Sequence, residues 1–108
     1  MSPKIDHQKP NIVLIMTDQQ RADTIAELGH PWMQTPNLDR LVKQGTSFTN
    51  CFVTSPVCVS SRASVFLGAY PHTTNVYTNF ETWQPNWVRW LAQAGYHCVN
   101  IGKMHINP

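Results

Sequence analysis

The chain has 108 residues, of which 42% are hydrophobic and 13% charged, a balance that points to a folded globular protein and not to a disordered one. Eight Lys and Arg against six Asp and Glu leave a formal charge of +2, with the basic residues scattered singly, so neither nucleic acid nor a polybasic membrane contact is expected. The first ten residues hold no apolar signal-peptide core, and the apolar run from Ile12 to Met16 is too short to span a bilayer, so the chain as written reads as cytoplasmic and not membrane-bound.

A polar tail over residues 1–9 leads into the continuous apolar run Asn11 to Met16, the pattern of a strand buried on both faces of a parallel sheet. The run stops at Thr17-Asp18-Gln19-Gln20, which sets polar side chains at a strand's carboxyl end. Open α/β sheets bind their ligands there, which makes Asp18 a candidate functional residue. Arg21 to Leu28 is weakly helical and closes at Gly29. After a loop with two prolines, Thr35-Pro36 reads as an N-cap followed by proline in the first turn, predicting a helix that ends at Gly45.

Thr46 to Val53 alternates polar and apolar residues and predicts a second strand, broken at Thr54-Ser55-Pro56. From Ser60 or Ser61 the sequence predicts a short helix ending at Gly68, which would leave Cys58 just before a helix N-terminus. Tyr70 to Pro85 lacks periodicity and reads as a long loop, whose His72, Asn75, Tyr77 and Asn79 could line a pocket. Trp87 to Ala94 predicts an amphipathic helix, and Tyr96 to Ile101 a third strand. The fold class expected from this order is α/β, a mostly parallel sheet flanked by helices.

Three cysteines with no CxxC spacing argue against a disulfide framework and against a structural zinc site. One of them, Cys58, precedes a predicted helix and lies four residues before Arg62, two features that favour a thiolate. In isolation the same residues more often make a small buried thiol and a solvated helix arginine. Lys103 and His105, at i and i+2 beyond the third predicted strand, can point to the same side.

The segment Pro56 to His72, PVCVSSRASVFLGAYPH, resembles the signature of the sulfatases, members of the alkaline phosphatase-like superfamily. Three further segments resemble that family in the same order. They are PNIVLIMTDQQRAD from Pro10, TPNLDRLVKQGTSFTNCF from Thr35, and AGYHCVNIGKMH from Ala94.

This resemblance implies that residues 10–108 are the N-terminal part of a longer catalytic domain with a partial alkaline phosphatase-like fold. The activity it implies is hydrolysis of small-molecule sulfate esters, with phosphonate monoester or phosphodiester hydrolysis, or an inactive sulfatase-like fragment, as alternatives. Cys58 would be converted to formylglycine by the formylglycine-generating enzyme, although Ser60 stands where the family's recognition motif usually has proline. Asp18, Gln19 and position 58 would ligate a divalent cation, calcium first and magnesium or manganese as alternatives. Gln19 replaces the second aspartate of many sulfatases and resembles the phosphonate monoester hydrolase branch. Arg62 would anchor the formylglycine, Lys103 would contact the ester oxygens, and His105 would orient the nucleophile or protonate the leaving group. The remaining ligands would come from the rest of the catalytic domain, so the 108 residues alone are expected to turn over little.

Overall fold

The computed structural model describes residues 9–83 and 86–105. The tail over residues 1–8 and the end of the long loop at Gln84 and Pro85 lie outside the described residues. The chain divides into two compact units, Met1–Thr46 and Ser47–Pro108.

The first unit is built around helix α1, Pro36–Gln44, with Thr35 at its N-cap and proline in its first turn as the sequence predicts. Thr35 uses its hydroxyl to bind outward: it accepts from the Ala26 N–H at 2.9 Å and donates to Asp39 Oδ1 at 2.8 Å. Asp39 Oδ1 also accepts from the Glu27 N–H at 3.0 Å, and Glu27 pairs with Lys43 at 2.9 Å. These bonds fasten a 3-10 turn, Ala26–Leu28, onto α1. Only that turn forms where the sequence suggested a weak helix from Arg21, and it closes at Gly29 with a left-handed φ of 106°.

The second unit centres on helix α2, Cys58–Leu67. Its residues are mostly small, and Val59, Ser60, Arg62, Ala63, Ser64 and Phe66 are buried, so neighbours cover it on several faces. Gly68 ends it at φ 66° with its N–H on the Ser64 carbonyl, a left-handed cap that suits glycine. A one-turn helix α3, Pro71–Thr74, follows inside the predicted loop. Helix α4, Trp87–Gln93, starts at Asn86, whose side chain accepts from the Val88 N–H at 3.1 Å.

Phe66 of α2 stacks with two indoles. Its ring centroid is 5.5 Å from that of Trp83 and 5.7 Å from that of Trp87, both pairs stacked. The Trp87 indole N–H donates to the Val65 carbonyl at 3.0 Å, tying α4 to α2.

The expected sheet does not form. Among the described residues there is no strand, so the α/β assignment with a mostly parallel sheet is corrected to an arrangement of short helices and extended segments. The apolar run before Asp18 stays exposed, with Val13 80% and Ile15 78% accessible, and Phe48, Phe52, Val99 and Ile101 are exposed in the other two segments. A β-rich composition records a preference for a pleated, packed environment, but a strand exists only when another segment accepts its backbone bonds. No described segment of this chain supplies that ladder.

Candidate active site

Cys58 is the first residue of α2, not the residue before it, because the helix begins two positions earlier than Ser60. The N-cap, Val57, has no side-chain acceptor for the exposed N–H groups of the first turn. Asn79 supplies one from 20 residues away. Its Oδ1 accepts from the Val59 N–H at 3.3 Å and from the Cys58 thiol at 3.3 Å.

The loop carrying Asn79 is held at two more points. Ser60 is 1% accessible and its hydroxyl donates to the Val76 carbonyl at 2.7 Å. Glu81 accepts from both the N–H and the hydroxyl of Thr78. The hydroxyl bond holds the Glu81 carboxyl below its ordinary range, against the opposing effect of desolvation, and the Thr78 backbone bond adds to the lowering. Cys58 itself is half-buried and Asn79 exposed, so the thiol stands at the border of the packed unit.

Arg62 is buried, at 6% accessible, where an isolated reading of the helix expects a solvated arginine. Its Nη1 donates to the Lys103 carbonyl at 2.7 Å, drawing the Lys103 to His105 segment onto α2. The Lys103 side chain is exposed. His105 is half-buried at φ 56°, with a buried Nδ1 that has no hydrogen-bond partner, and its carbonyl accepts from the Trp83 indole N–H at 3.1 Å. Cys58, Arg62, Lys103 and His105 thus share one unit and are linked through α2, Asn79 and Trp83.

Asp18 and Gln19 belong to the first unit and are exposed, Gln19 at a φ of 54°. Among the described residues no group of three or more His, Cys, Asp or Glu side chains is gathered as a cation would need. Two oxygens from Asp18 and Gln19 fall short of the six or more that calcium takes, so these residues by themselves do not fit the ion. A carbonyl carbon at position 58 fits better: the side chain is short, half-buried and placed at a helix N-terminus, whose N–H groups favour an oxyanion.

A groove of about 410 Å³ lies beside α2, lined by Cys51, Phe52, Val53, Ser61, Val65 and Tyr70 among others. It contains none of the residues expected in the site.

Asn79 is legible in the sequence only as a pocket-lining candidate, and no motif singles out Trp83. A buried indole N–H needs an acceptor, but no spacing in the chain identifies the His105 carbonyl as that acceptor.

Cys58 thus opens helix α2 one turn before the buried Arg62, and Arg62 holds the Lys103 to His105 segment. The sulfatase family profile matches residues 10–108, and the chain belongs to the sulfatase family. It is 41% identical over 106 residues to an arylsulfatase of Clostridium perfringens, covering 93% of this chain and 22% of that protein. It is 39% identical over 103 residues to a Ulvan-active sulfatase of Formosa agariphila, covering 92% and 20%. A choline-sulfatase of Rhizobium meliloti is 37% identical over 100 residues, covering 90% and 20%. The chain spans about a fifth of the length of these relatives. No solved structure matches it.

Proposed function

We propose that this chain carries the nucleophile-bearing part of a hydrolase of small-molecule sulfate esters. The observation that carries the reading is the sulfatase match over residues 10–108, which spans Cys58 at the first position of α2 together with the buried Arg62 one turn on. The names of the relatives, arylsulfatase and choline-sulfatase, favour a sulfate ester over other anionic esters.

Position 58, at the first turn of α2, would hold a formylglycine made from Cys58 by the formylglycine-generating enzyme, and that group would supply a hydrated aldehyde as the nucleophile, the ester's alcohol being the leaving group. Arg62 contributes a positive charge one helical turn from that position. Lys103 reaches the ester oxygens from the segment that Arg62 holds, and its cation offsets the charge that builds on them. His105 orients the nucleophile or protonates the leaving group, work suited to an imidazole. Asp18 and Gln19 would hold a divalent cation, calcium by preference, only together with ligands from the remainder of the catalytic domain.

Gln19 favours a second reading, a phosphonate monoester or phosphodiester hydrolase. A neutral amide in place of a carboxylate changes the net charge that faces an anionic ester. The ratio of kcat/KM for an aryl sulfate and for an aryl phosphonate monoester separates the two.

The test of the leading reading is peptide mass spectrometry of the intact protein from its native host. The peptide containing Cys58 is expected to carry the mass loss of thiol-to-aldehyde conversion, and an unmodified thiol there overturns the formylglycine mechanism.

A further inference from the structure

The Lys103 to His105 segment is tied to the rest of its unit at two backbone carbonyls. Arg62 Nη1 donates to the Lys103 carbonyl at 2.7 Å and Trp83 Nε1 to the His105 carbonyl at 3.1 Å. Both donors are buried, Arg62 at 6% and Trp83 at 3% accessible. Between the two anchors His105 has a φ of 56°, a region that residues with a Cβ seldom occupy and keep only when the surrounding structure over-determines it. The Trp83 ring that supplies the second anchor is itself fixed by stacking on Phe66 at 5.5 Å.

We propose that Trp83 is a positioning residue for His105. Its indole N–H holds the His105 carbonyl, keeps that residue at its left-handed φ and so sets the direction of the imidazole during ester hydrolysis. The proposal rests on the reading of His105 as an active-site group.

The structure contains its own comparison. Trp87 stacks on the same phenylalanine at 5.7 Å, but its N–H donates to the Val65 carbonyl and not to the Lys103 to His105 segment. Loss of the Trp87 N–H therefore reports what a packing tryptophan contributes, and loss of the Trp83 N–H reports positioning as well.

The experiment compares Trp83→Phe and Trp87→Phe in the intact protein, with p-nitrophenyl sulfate as substrate and the 13Cα and 13Cβ shifts of His105 as a measure of its φ. Trp83→Phe is expected to lower kcat about tenfold and to leave KM within about twofold, because a misdirected catalytic group slows the chemical step more than binding. The His105 shifts leave the positive-φ range in Trp83→Phe and stay there in Trp87→Phe. An equal loss of kcat in both variants overturns the proposal, as do unchanged His105 shifts in Trp83→Phe. If the unsubstituted protein hydrolyses no sulfate ester, the functional reading falls, and the His105 shifts alone then decide whether Trp83 holds that residue. Should Trp83→Phe fail to fold, β-(3-benzothienyl)-alanine at position 83 keeps the fused ring, removes only the N–H and carries the same test.

Discussion

The amide oxygen of Asn79 lies 3.3 Å from the Cys58 sulfur and 3.3 Å from the Val59 nitrogen, so one side chain caps helix α2 and holds the Cys58 thiol at the same time. The cap and the thiol are coupled, and a change at position 79 acts on both.

Asn79→Ala removes the acceptor for the Val59 N–H, and Val57 offers no substitute. The expected loss is about 1 kcal/mol, typical for a helix N-cap, read as a lower midpoint in urea unfolding. In protein made without the formylglycine-generating enzyme, alkylation of the Cys58 thiol by iodoacetamide is expected to speed up in the same variant, while that of the exposed Cys51 is unchanged.

Ser60→Pro tests the residue that departs from the family motif. Position 60 is the third of α2, where the backbone N–H has no intrahelical carbonyl to bind, so proline is compatible with the helix. The substitution does remove the 2.7 Å bond to the Val76 carbonyl, itself part of a buried residue. The expected result is unchanged helix content by circular dichroism, a stability loss of about 1 kcal/mol, and a larger fraction of formylglycine at position 58 by mass spectrometry.

Gly68→Ala separates backbone strain from crowding. A Cβ at Gly68 would meet nothing within 4 Å, so the cost comes only from its φ of 66°. Thermal unfolding is expected to show a loss of about 1 kcal/mol.

Glu81 gives the loop around Asn79 a pH dependence. Its carboxyl is held below the ordinary value of 4.5 chiefly by the Thr78 hydroxyl. A lowered folded-state value means that the contribution is present above pH 4.5 and is lost as the pH falls through the folded-state value. The Thr78 amide resonance is expected to shift across that window, and Glu81→Gln is expected to abolish the shift.

Much of the local structure was legible because its causes are local. Thr35-Pro36 and Gly45 bracket α1, and Gly68 ends α2, since caps and left-handed glycines act within one turn. Helix α2 starts at Cys58 and not at Ser60 or Ser61, because no serine caps it and Asn79 provides the capping acceptor from a distant loop.

The sequence by itself determined the family, through four segments in the right order, and it determined which residues are candidates for chemistry: Asp18, Gln19, Cys58, Arg62, Lys103 and His105. It also determined where α1 starts and where α1 and α2 end, because backbone geometry at proline and glycine is intrinsic to those residues. Only the tertiary structure decided that Arg62 is buried against the Lys103 carbonyl, that Asn79 caps Cys58, and that Trp83 reaches His105. Those contacts join residues about 20 to 41 positions apart, where no periodicity constrains the partner. The same reason accounts for the missing sheet: apolar alternation expresses a preference for strand, and pairing requires a second segment that the described residues do not supply.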